Sequence, residues 1–137
     1  MTTDLRIARW PITAVVASSL LYAVSRAAED AGEAKPKHTI KEVMHGAHVA
    51  KEGEKSLRDI VLGGQATPEQ KQQLLDFYIS LAENKPPRGE LAPYRDKTRA
   101  IILAAAKVVV GREGASDELD KATNCAACHK EHKPPQQ

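Results

Sequence analysis

Cys125 and Cys128 are the only two cysteines in the chain, and His129 follows the second directly. Residues three apart on a helix lie on one face. Two thiols at that spacing can grip one rigid partner from the same side, and the next residue then offers an imidazole to it. Ala126 and Ala127 between them keep the turn uncrowded.

Other uses of two cysteines fit less well. A thioredoxin-like dithiol belongs in a βαβ setting, and no strand pattern is evident. A zinc site needs four ligands; Cys125, Cys128, His132 and a remote histidine would supply them only with an unrecognised spacing. A plain disulfide leaves His129 without a role. Cys125-Ala126-Ala127-Cys128-His129 does match the attachment pattern for one covalently bound haem c. The thiols would bond the two vinyl groups, and His129 would bind the iron from the same side. His132, three residues on, is expected to be a solvated surface residue.

The opposite side of the iron has its candidates in the segment 38–48. Met44 shares an apolar face with Ile40 and Ala47, which makes it the leading sixth ligand. As a core residue it would instead fill a gap. His48, four residues on, is the alternative ligand, and an open iron is the third possibility. His45 is expected to face solvent and His38 to serve the helix start. The choice matters, because axial ligands set both the potential and the access of small molecules to the iron.

The rest of the chain reads as helices. Thr39 with Glu42 makes a capping box, after which Ile40, Val43, Met44, Ala47 and His48 recur at helical spacing. Gly53 interrupts that run, Leu57, Ile60 and Val61 resume it, and Gly63-Gly64 ends it. Thr67-Pro68-Glu69-Gln70 starts a second helix, with Leu74, Tyr78 and Leu81 on its apolar face. Lys85-Pro86-Pro87-Arg88-Gly89 stops it. A third opens near Pro93 and carries Ile101, Ile102, Ala105, Val108 and Val109. A fourth, capped by Ser116, is expected to run unbroken through the cysteines to Pro134. Four amphipathic helices and no hairpin signal predict an all-α chain, an antiparallel four-helix bundle over residues 38–133 with the haem attachment near its C-terminus.

Residues 1–27 are set apart. Arg6 and Arg9 precede about 15 apolar residues, and small residues surround Ala27. That length falls short of the ~20 residues of a spanning helix, and the pattern is that of a cleaved export signal. An uncleaved anchor is the other reading. Residues 28–37 form a polar lead-in and 134–137 a tail. The chain has 20 Lys and Arg against 18 Asp and Glu. The leader removes Arg6, Arg9, Arg26 and Asp4, so the balance becomes 20 − 3 = 17 against 18 − 1 = 17. A neutral chain with 4% aromatic residues offers no basic, aromatic-studded surface for nucleic acid.

A Cys-x-x-Cys-His on the last of four helices, with the segment Ile40-Lys41-Glu42-Val43-Met44 on the first, resembles the class II c-type cytochromes: the cytochrome c-prime family and its low-spin relatives. The resemblance covers about residues 38–133. It implies attachment through Cys125 and Cys128, His129 as axial ligand, and Met44 at the position where low-spin members place a sixth ligand. In c-prime members that position does not ligate. The resemblance also implies pairing into a homodimer through the first two helices.

The expected function is that of an exported, periplasmic electron carrier between redox partner proteins, with no membrane attachment after cleavage of the leader. The alternative is a five-coordinate protein that binds nitric oxide or carbon monoxide. No acid–base constellation suggests an enzyme.

Overall fold

The computed structural model describes residues 35–135, and every regular element among them is helical. The leader expected at residues 1–27 lies outside the described residues.

Thr39 opens the first element as foreseen. Its hydroxyl accepts from the Glu42 amide, and the Glu42 carboxylate accepts from the Thr39 amide at 2.8 Å. The resulting helix α1, Ile40–Val43, is short and passes directly into a π-turn, Met44–His48. Val49 is extended, and the chain loops to Ser56. Ser56 caps α2, Leu57–Leu62. The first segment is therefore two helices and a loop rather than one bent rod. Gly53 sits in that loop with φ +80°, a conformation that disfavours any residue carrying a Cβ.

Thr67 and Gln70 form a second capping box ahead of α3, Pro68–Glu83. Helix α4, Leu91–Val109, follows after a short polar loop. The end of α3 lies beside the start of α4: Tyr94 Oη donates to the Leu81 carbonyl at 2.7 Å, out of reach of water. These two helices pack along each other, and α4 packs in turn on α5, Ala115–Ala122. Gly114, not Ser116, stands at the cap of α5.

The largest departure from expectation is that the last helix is broken. Helix α5 stops at Ala122, and a separate helix α6, Cys125–His132, begins after two intervening residues. Thr123 folds its hydroxyl back to the Leu119 carbonyl at 2.8 Å, and the same oxygen accepts from Arg58 Nε at 2.8 Å. Asn124 is extended, and its side-chain oxygen accepts from the Ala127 amide at 3.0 Å. A Thr-Asn pair that satisfies local backbone groups offers the chain an alternative to continuing helix. Asn124 is a strong N-cap, hidden within an apparently continuous helical run.

The core contains Val43, Ala47, Leu74, Tyr78 and Leu119, all essentially without solvent contact. It is mostly aliphatic, with Phe77, Tyr78 and Tyr94 as its aromatic members. Among the described residues no helix is long and apolar enough to cross a membrane.

The loop between α3 and α4 must pass close to α6. Gly89 has φ +81°, and a Cβ there would lie 2.8 Å from His132 Nδ1 and 2.9 Å from the Glu131 carbonyl oxygen. Gly64 has φ +71° but open space around it. Gly64→Ala should therefore lose about 1–2 kcal/mol, the cost of left-handed backbone alone. Gly89→Ala should lose clearly more, and chemical denaturation of the two variants side by side measures the difference.

Candidate functional site

Helix α6 carries the Cys-x-x-Cys-His motif and has only eight residues, too few to be stable alone. Its position is imposed by its neighbours. Arg88 donates from Nε to the Glu131 carbonyl at 3.1 Å and from Nη2 to the Lys130 carbonyl. The Arg88 carbonyl meets His132 Nδ1 at 3.2 Å. Lys97 on α4 pairs with Glu131 at 2.9 Å, which holds the Glu131 carboxyl below the usual range. The loop thus satisfies carbonyls that the end of a helix leaves open.

So held, α6 forms one wall of a cavity of about 790 Å³. The size lies within the range of ligand sites. Cys128, His129 and His132 line this wall. The first segment also lines the cavity, through Ile40, Met44, His45 and His48. Leu81 and Tyr94, from the α3–α4 pair, also line it. Four of the five residues singled out from the sequence thus meet around one space. The fifth, Cys125, does not line it: it is exposed at the start of α6, with its thiol 3.4 Å from the Thr123 carbonyl. Both thiols are free, and burial raises the pKa of Cys128 above its ordinary value. No group of three or more His, Cys, Asp or Glu side chains that would hold a metal ion occurs among the described residues.

Burial pushes His48 down to about 4, with Arg58 and His129 acting in the same sense and Asp59 opposing them. The sign is clear: the folded chain binds fewer protons at His48 than an unfolded one below the ordinary histidine value, so the imidazole stays neutral and keeps a lone pair near pH 7. His45 lines the cavity mouth but is exposed, as expected. His38 packs on Phe77 at 5.0 Å and lies 3.7 Å from Asp76.

His132 is the residue that sequence reasoning misplaced. It is 4% exposed, stands edge-on to Tyr94 at 5.2 Å, and has no hydrogen-bond partner for Nε2. Its Nε2 does lie 3.5 Å from a Glu131 carboxylate oxygen, without hydrogen-bond geometry. The only signal for its burial was Gly89, forty-three residues earlier, and no local pattern connects the two. Tyr78, expected on the apolar face of its helix, is wholly buried; its hydroxyl has no partner, and desolvation raises its pKa. An unpartnered buried hydroxyl costs about 1–3 kcal/mol. The orphan stands beside His48, with ring centroids 5.8 Å apart.

No family model, curated protein or solved structure matches the chain. What the site does must be argued from its own residues.

Because Arg88 holds α6 from outside, Arg88→Ala should loosen that helix selectively. Amide hydrogen exchange should speed up at residues 129–133 while α3 and α4 keep their protection. Uniform loss of protection would mean that the loop supports the whole fold instead.

Proposed function

We propose that the chain is an exported mono-haem c-type cytochrome that carries single electrons between redox partner proteins. In this reading the helices make an antiparallel four-helix bundle like that of the class II cytochromes. The first arm is α1 with α2, the second α3, the third α4, and the fourth the broken pair α5 and α6. The observation that carries the reading is one cavity lined by donors from two elements: Cys128 and His129 from α6, Met44 and His48 from the first segment.

The residues fit a haem on three counts. Cys128 is half-buried at the cavity wall with His129 next to it. Cys125 lies one turn earlier on the same helix, where its exposed thiol can reach a vinyl group at the cavity edge. Buried polar atoms without partners, His132 Nε2 and Tyr78 Oη, belong to residues on or next to the cavity walls. Bound there, a haem supplies reversible one-electron change at its iron.

The chain's own residues would do the rest. Cys125 and Cys128 tether the group, so that it is not lost in either oxidation state. His129 holds the iron from α6. Ile40, Leu81 and Tyr94 exclude water from its faces, which with the axial ligands tunes the potential. Lys41 and Lys133 at the cavity rim present positive charge to carboxylates and to an acidic partner surface.

The test is the full chain expressed with a haem-attachment system in a host that exports it. The mature protein should be coloured, gain the mass of one haem, and give no reaction of its cysteines with alkylating reagents. Colourless protein with two reactive thiols would end the proposal. Carbon monoxide added to the reduced protein distinguishes the gas-binding alternative. An electron carrier with two strong axial ligands should show little spectral change, whereas an open iron shifts at once.

A further inference from the structure

We propose that His48, not Met44, is the second axial ligand in this chain, and that the Tyr78 hydroxyl orients it. The inference rests on the haem reading above and concerns which residue of the first segment completes the site.

The two candidates stand at the two ends of one π-turn. Met44 and His48 would share a face on an α-helix. They are the first and last residues of a five-residue π-turn, and both line the cavity. Single π-turns within helices are frequent at functional sites. Their further contacts differ. Met44, besides lining the cavity, packs on the hydrophobic core, a setting for an unbranched gap-filler. His48 lines the cavity and packs on Tyr78.

The decisive neighbour is Tyr78. A histidine that binds a metal nearly always gives its other ring N–H to an acceptor, which fixes the tautomer and aims the lone pair. The hydroxyl of Tyr78 is fully buried, has no partner, and belongs to the ring that His48 packs against at 5.8 Å and 45°. A neutral imidazole has one N–H and one lone pair. With its N–H given to Tyr78 Oη, His48 keeps the lone pair for the iron, and the orphaned hydroxyl gains its bond. Met44 offers no group that would satisfy that hydroxyl from the same place. His129 lines the same cavity from α6, so the two imidazoles come from two elements. Tyr78 touches the ligand and not the iron; it is a positioning residue.

The experiment uses the matured holoprotein and compares it with His48→Ala, Met44→Leu and Tyr78→Phe. The readouts are optical and electron paramagnetic resonance spectra. The unaltered protein should be low-spin without the red thioether-to-iron band, and Met44→Leu should stay low-spin. His48→Ala should turn high-spin and return to low-spin on addition of imidazole. Tyr78→Phe should stay low-spin, but cyanide should displace its ligand at about 10-fold to 100-fold lower concentration, the usual loss on removing a supporting acceptor. A thioether band, a high-spin unaltered protein, or conversion to high spin by Met44→Leu overturns the assignment of His48 even if His48→Ala fails to fold. Unchanged cyanide displacement in Tyr78→Phe overturns the role of Tyr78. Absence of haem overturns the reading beneath both, and the colour of the unaltered protein distinguishes that failure from the others.

Discussion

An eight-residue helix in water is mostly unwound, so the position of α6 depends on the contact between its last turn and the α3–α4 loop. Arg88 reaches two carbonyls at the end of α6, its own carbonyl meets the His132 ring, and Gly89 lets the backbones approach. These contacts are polar and geometric, with little apolar area behind them. They succeed because they occur together: the carbonyls at a helix end must find donors, and one guanidinium with its fixed fork serves two of them. The α6 so held lines the cavity together with the first segment.

The second constraint is the break at Thr123 and Asn124. Arg58, on α2, is tied to the Thr123 hydroxyl and to Asp120. The first arm of the chain is thereby attached to the last, next to the motif. His48 and Tyr78 sit near this junction, and the charge of Arg58 is felt at both. The side chains that would govern an iron are therefore set by three elements distant in sequence.

Much of the helical framework was legible. The two capping boxes, the stop at Gly63-Gly64 and the apolar faces of α3 and α4 lie in local patterns that hydrogen bonding near a helix end enforces. The convergence of Met44, His48, Cys128 and His129 was legible too, because chemistry rather than packing picked them out. What escaped notice was non-local or ambiguous. Asn124 reads as an ordinary polar position until Thr123 is seen to fold back and free the chain to turn. The π-turn has no signature in Met-His-Gly-Ala-His, although Gly46 within it is packed so close to Phe77 that an added Cβ would stand 2.5 Å from the ring. His132 looked like a polar tail residue because the glycine that makes room for it belongs to another loop.

The interruption between α5 and α6 has one further consequence. In a continuous helix, the direction in which a binding motif faces is fixed by the rod that carries it, and any correction must travel through the packed interior. Here the motif is mounted on its own short arm, and two dihedral-bearing residues set its aim. Selection can re-point the arm by changing that joint or the loop that braces it, leaving the aliphatic interior of α3, α4 and α5 as it was.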